Sequence, residues 1–104
     1  GQRGYNYSLK RSTLYYLADT NARHQRNNEA IKQFTESLKI SEDIDGDKDS
    51  GFKVNTALYL GIIYTRIKDY EKAKEYYKRV LEMENYLGSI KKAEKSLSAL
   101  EKLK

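Results

Sequence analysis

The chain contains no cysteine, no proline and no tryptophan, and only one histidine and one methionine among its 104 residues. Without cysteine there is no disulfide framework and no thiolate-ligated zinc or iron–sulfur centre. A single histidine, His24, leaves no two-histidine metal motif. Apolar runs such as Leu60 to Ile63 fall far short of the roughly 20 residues a membrane span requires. No glycine-rich loop of the kind that cradles phosphate is present. Hydrophobic residues make up only 38%, which predicts an elongated fold with a thin continuous core rather than a sphere. The length is that of one domain at most.

Charge and tyrosine are what the chain has in quantity. Charged residues reach 34%, and ten tyrosines stand against two phenylalanines. The net charge of +5 is unevenly spread. Two basic blocks flank an acidic connector, Glu42-Asp43-Ile44-Asp45-Gly46-Asp47-Lys48-Asp49. A pI near 9.3 makes nucleic acid or an acidic protein surface a partner to weigh. Lysine and glutamate are, however, interspersed at helical spacing (Glu71, Lys72, Lys74, Glu75, Lys78, Arg79), and no basic run exceeds two residues. That is the pattern of a solvated helix face, and it disfavours nucleic acid.

Apolar residues recur every three or four positions, which predicts helices throughout. The first is expected over Leu9 to His24, with Leu14, Leu17, Ala18 and Asn21 inward. Asn27 and Asn28 are N-cap candidates for a second helix, Glu29 to Asp43, with Ala30, Phe34, Ser37 and Leu38 inward. Asp45 to Gly51 reads as a solvated acidic turn. A third helix is expected over Phe52 to Ile67, a fourth after an Asp69 N-cap, and a fifth capped by Ser89 after a break at Gly88. The fifth carries an apolar stripe of Ile90, Ala93, Leu97 and Leu100.

The four central helices are one pattern written twice. An offset of 43 residues superposes Leu14 on Ala57, Leu17 on Leu60, Ala18 on Gly61, Ala30 on Ala73, Phe34 on Tyr77 and Leu38 on Leu81. A two-helix unit of this period predicts an α-solenoid. Ala18 and Gly61 would let the helices of a pair cross closely, and Phe34 and Tyr77 would fill the space between pairs.

The second unit, Ala57-x2-Leu60-Gly61-x2-Tyr64-x8-Ala73-x3-Tyr77-x2-Val80, resembles a tetratricopeptide repeat (TPR), with Lys68 to Ala73 as the inter-helix turn. Val80 replaces a small residue, and Asn85 stands where the family has proline. The first unit departs further, with Asn21 for tyrosine and Ser37 for alanine. The resemblance covers roughly residues 11–87, and the long period is similar to that of repeats in bacterial signalling regulators. It implies an all-α fold, a right-handed α-solenoid of two TPR-like helix–turn–helix pairs plus a C-terminal capping helix. One domain would span 1–104, with repeat one at 11–44, an acidic loop at 45–51, repeat two at 54–87 and the last helix at 89–104.

Catalytic and metal chemistry finds no support in the residues. The alternating Asp43, Asp45, Asp47 and Asp49 invite a calcium reading, but no register places Gly sixth and Glu twelfth. His24 has no nucleophile motif beside it. Glu82 and Glu84 point away from each other on a helix. No enzyme activity, no metal and no cofactor are therefore expected.

The resemblance implies a non-catalytic module that binds a protein or peptide segment, excised from a larger regulatory or scaffold protein, because a stable stack normally takes three repeats. It also implies that the first helix of each pair lines the concave face. There the groove candidates are Tyr15, Asp19, Arg23, Tyr59, Ile62 and Arg66, two rows each with an aromatic and a guanidinium. Asp19 stands where chaperone-binding relatives need a cation, which disfavours capture of a chaperone C-terminus. The alternatives are a basic helical module on nucleic acid or an acidic surface, with Lys74, Lys78, Lys91 and Lys95 as its face, and a self-associating scaffold forming a weak homo-oligomer. No membrane partner is expected. The expected compartment is the cytoplasm, with an extracytoplasmic sensor domain as the alternative.

Overall fold

A computed structural model describes residues 2–103, so Gly1 and Lys104, at the two ends of the expected domain, lie outside the described residues. Among the described residues there are five helices and no strand: α1 (Gln2–Arg23), α2 (Asn27–Asp45), α3 (Gly51–Arg66), α4 (Tyr70–Leu81) and α5 (Ser89–Glu101). Each packs against the next, and α1 also touches α3 as α3 touches α5. The odd-numbered helices therefore form one layer and α2 and α4 the other. In this arrangement α5 stands to α4 as α3 stands to α2. The shape is elongated, 49 × 28 × 20 Å with a radius of gyration of 13.6 Å.

The 43-residue offset extends to the backbone. α1 ends with the Arg26 N–H donating to Asn21 O (2.8 Å) and the Gln25 N–H to Ala22 O (3.2 Å). α3 ends identically, Asp69 N–H to Tyr64 O (2.9 Å) and Lys68 N–H to Thr65 O (3.0 Å). Both are Schellman turns, which need a left-handed residue after the helix. Gln25 (φ 63°) and Lys68 (φ 67°) take that conformation without being glycine.

The core runs through Ala18, Ala30, Phe34 and Leu38, on through Ala57, Leu60, Ala73, Tyr77 and Val80, to Ala93 and Leu100. Gly61 is essential to the crossing of α3 and α4. A Cβ there would lie 2.7 Å from Cε1 of the buried Tyr77 ring. The glycine is what lets the aromatic ring pack this closely against the helix.

Several expectations need correction. Helix α1 begins at Gln2, not Leu9, and α2 runs on to Asp45, because the two extensions hold each other. Tyr7 Oη donates to Asp43 (2.8 Å), and Arg11 pairs with Asp45 (3.2 Å). Neither Asn27 nor Asn28 caps α2. Its N-cap is Arg26, with no side-chain bond, and Asn27 instead accepts a hydrogen bond from Arg66 (3.1 Å). Gly88, not Ser89, is the N-cap of α5. Ser89 Oγ accepts from the Tyr86 N–H (2.9 Å), while Asn85 Oδ1 accepts from the Ile90 N–H (3.3 Å). Leu17, expected in the core, is 48% exposed.

The acidic connector is solvated at its turn, where Gly46, Asp47 and Lys48 are exposed, but it is also tied to the rest of the fold. Arg11 and Asp45 are buried together, and Lys53, buried at the start of α3, pairs with Asp49 (3.2 Å) and donates to Gly46 O and Lys48 O. Asp49 also accepts from the Glu84 N–H (2.9 Å), and Glu42 pairs with Arg79. Ser50 caps α3 by accepting from the Lys53 N–H. The connector thus ties α1, α3 and α4 together. Asp69 caps α4 as expected, accepting from the Lys72 N–H (3.3 Å).

Candidate functional site

Side chains of α1 and α3 meet the α4–α5 connection around a cleft of about 370 Å³. Its walls are Tyr15 and Tyr16 from α1, Gly51, Phe52 and Asn55 from α3, and Tyr86. Tyr15 is the hub. Its ring meets Tyr16 (5.3 Å), Phe52 (5.2 Å), Phe34 (5.7 Å) and Tyr59 (6.2 Å) edge-on, the favourable geometry for aromatic quadrupoles. Behind it, Tyr59 stacks on Phe34 at 5.3 Å. The Arg11 guanidinium lies over the Phe52 ring at 4.7 Å, so the buried ion pair props one wall of the cleft. Gly51 lets Tyr86 close the other side, since a Cβ there would come within 2.7 Å of the Tyr86 ring.

Burial pushes the Tyr15 hydroxyl up to about 12, with the neighbouring Tyr59 adding to the rise and a hydrogen bond with Asn55 opposing it. The ring therefore stays neutral across the ordinary pH range. It offers an aromatic surface and a hydroxyl, not a nucleophile or a base.

Of the six groove candidates, Tyr15 and Tyr59 are brought together in this aromatic cluster. Asp19 and Arg23 pair with each other one turn apart (3.2 Å), so that row carries no net charge. Ile62 is partly exposed on the outer side of α3. Arg66 is differently employed. Its Nη1 donates to Ala22 O at the end of α1 (3.0 Å) and to Asn27 Oδ1 (3.1 Å), so the guanidinium joins the two pairs. Phe52, Gly51 and Tyr86 were not anticipated. Phe52 falls at the helix start, before the groove spacing begins, and Tyr86 lies in a connection with no periodicity to mark it.

The tetratricopeptide repeat family model matches residues 9–85, nearly three quarters of the chain and both helix pairs. The chain belongs to the tetratricopeptide repeat family. TPR domains generally mediate protein–protein interaction and are generally not enzymes. No curated protein and no solved structure gives a significant match to this TPR chain. Among its described residues, no helix is long and apolar enough to cross a membrane, and no group of three His, Cys, Asp or Glu is placed to hold a metal.

Proposed function

We propose that this TPR module is non-catalytic and binds an extended or helical protein segment on the face shared by α1 and α3. The supporting observation is the aromatic cleft. Four aromatic rings converge on one open concavity, with the Asn55 amide as a polar contact among them. Large rigid side chains of this kind dominate interface energetics. The docking surface comprises Tyr15, Tyr16 and Tyr59 with Ile62 alongside, and the Asp19–Arg23 pair at its edge. Arg66 serves it indirectly by fixing one helix pair against the other. Because the nearest charges cancel, the surface suits a segment with an apolar or aromatic anchor rather than a strongly acidic one.

Selection of a displayed random-peptide library on the immobilised chain tests this reading. Retained peptides should bind Asn55→Ala and Ile62→Ala variants at least several-fold more weakly, as expected for loss of about 1–3 kcal/mol at an anchor, with helical circular dichroism unchanged. The Lys91→Glu/Lys95→Glu variant should bind as the parent does. If the lysine variant loses binding while the other two retain it, the basic face of α4 and α5 is the docking surface instead.

A further inference from the structure

Three of the rings around the cleft stand at right angles to one another. Tyr15 meets Tyr16 at 89° and Phe52 at 89°, and Tyr16 meets Phe52 at 82°, with centroids 5.3, 5.2 and 6.4 Å apart. Three mutually perpendicular planes make the corner of a box, and Tyr86, seated against Gly51, adds a further wall. A corner of this kind suits a rounded group. A flat one calls for parallel rings, as Tyr59 and Phe34 are at 13°.

The face of an aromatic ring is negative, so a box of rings attracts a cation without any carboxylate. This chain uses that attraction elsewhere, with Lys72 over Tyr64 (5.7 Å) and Arg79 over Tyr76 (5.2 Å). Arg11 lies over Phe52 but does not line the cleft, and Asp45 matches its charge, so it does not set a net positive charge against an incoming cation. The chain is positive overall, yet the segments leading to Gly51 and Tyr86 are acidic. Asp47 and Glu84 are exposed, and among the described residues neither pairs with a cation.

The lining also selects among cations. It contains no carboxylate, and its acceptors are the Asn55 amide and tyrosine hydroxyls. A lysine ammonium brings three N–H donors and a guanidinium five, and donors buried without acceptors are costly. A quaternary ammonium brings none. The volume of about 370 Å³ is that of a small-ligand site, but such sites enclose most of a free ligand. Here Tyr16 is 60% and Tyr86 39% exposed, so one side is open. An open box fits the end of a side chain carried by a larger partner.

We propose that the cleft recognises the trimethylammonium end of a trimethylated lysine in a protein segment, with Tyr15, Tyr16, Phe52 and Tyr86 around its methyl groups. The proposal rests on the cleft being the docking surface and names its anchor: apolar in its methyl coat, positive in its charge.

The test is an NMR titration of the chain with three glycine- and serine-flanked peptides that differ at one residue: trimethyllysine, lysine, and the neutral isostere with carbon in place of the ammonium nitrogen. The trimethyllysine peptide should bind about 2- to 30-fold tighter than either of the others. Tyr16→Phe should keep that preference. Tyr16→Leu, which retains apolar bulk at an exposed position but has no ring, should reduce it, and Lys91→Glu/Lys95→Glu should leave it unchanged. Equal binding of the neutral isostere, or a preference indifferent to Tyr16→Leu, would overturn the proposal while leaving the cleft as an apolar docking site. Free choline bound as tightly as the peptide would overturn it in favour of a small-molecule site. If none of the three peptides binds, the proposal fails, and the docking reading fails with it only if the random-peptide library also yields nothing.

Discussion

Replacing Gly61 by alanine sets two opposed effects against each other, and the structure decides which wins. In the middle of a helix, alanine is better than glycine by about 0.8–1 kcal/mol. Here the new methyl would stand 2.7 Å from Cε1 and 2.9 Å from Cδ1 and Cζ of Tyr77. Carbon atoms prefer about 3.5–4.0 Å. The ring is only 3% exposed and has no open space to swing into. Overpacking of this kind costs about 1–3 kcal/mol. The net expectation is a loss of about 1 kcal/mol, or a fall of about 4–8 °C in the thermal midpoint for a domain this size. Circular dichroism at the helical band, with urea and with heat, measures it. The decisive comparison is the same substitution in a Tyr77→Leu background. There the aromatic atoms beyond Cδ are gone and the smaller side chain can turn its methyls aside, so Gly61→Ala should become stabilising by about 0.5–1 kcal/mol. If Gly61→Ala stabilises both backgrounds equally, the close approach of α3 and α4 is not what the glycine serves.

Two further outcomes follow from the backbone and from the buried hydroxyl. Gln25→Gly and Lys68→Gly relieve a left-handed non-glycine residue worth about 1–2 kcal/mol, offset by the greater freedom of glycine in the unfolded chain, about 0.4–1 kcal/mol. Each should raise stability by about 0.5–1 kcal/mol in urea titrations, and the two should add, because they lie in separate turns. Destabilisation by either would contradict the Schellman assignment. Because the Tyr15 hydroxyl is raised to about 12, folded and unfolded chains both keep its proton below about pH 10. Above that the unfolded chain releases it first, so stability should fall as pH rises from about 10 to 12 and level off beyond. Urea midpoints measured across that range should fall less steeply for Tyr15→Phe, and equal slopes would remove the effect.

The features legible in the sequence share one property: each is repeated. Ala18 and Gly61, Ala30 and Ala73, Phe34 and Tyr77 stand at one offset, and their burial follows from a periodicity visible without coordinates. Leu17 shows where this logic stops. It has the same place in its unit as Leu60, but burial depends on a neighbour and not on the residue, and among the described residues no helix covers Leu17 as α2 covers α3. The left-handed conformation of Gln25 and Lys68 is not legible in the sequence, because the usual marker, glycine, is missing from both. The cleft was half legible. Tyr15 and Tyr59 follow from the repeat resemblance, which puts the first helix of each pair on the concave face. Tyr86 does not, because only the absent Cβ of Gly51, 35 positions away in the chain, tells where its ring lies.

The acidic connector illustrates a different limit and links stability to the site. Read locally, five acidic residues around one lysine repel each other and belong in water. Their partners are distant in sequence: Arg11 for Asp45, Tyr7 for Asp43, Arg79 for Glu42. Of these only Arg11–Asp45 is largely out of water. Such a pair adds little net stability, but removing one member leaves the other unmatched at a cost of several kcal/mol, about 3–5. The connector therefore acts less as a source of stability than as a fixed joint that tolerates few alternatives. That joint reaches the cleft directly. Asp45 holds Arg11, Arg11 lies over Phe52, and Phe52 meets both Tyr15 and Tyr16. Arg66 fixes the opposite end of the same two helices through Ala22. With α1 and α3 held at both ends by polar contacts, the aromatic residues between them need not supply the rigidity of the stack, and the Tyr16 ring is left facing solvent.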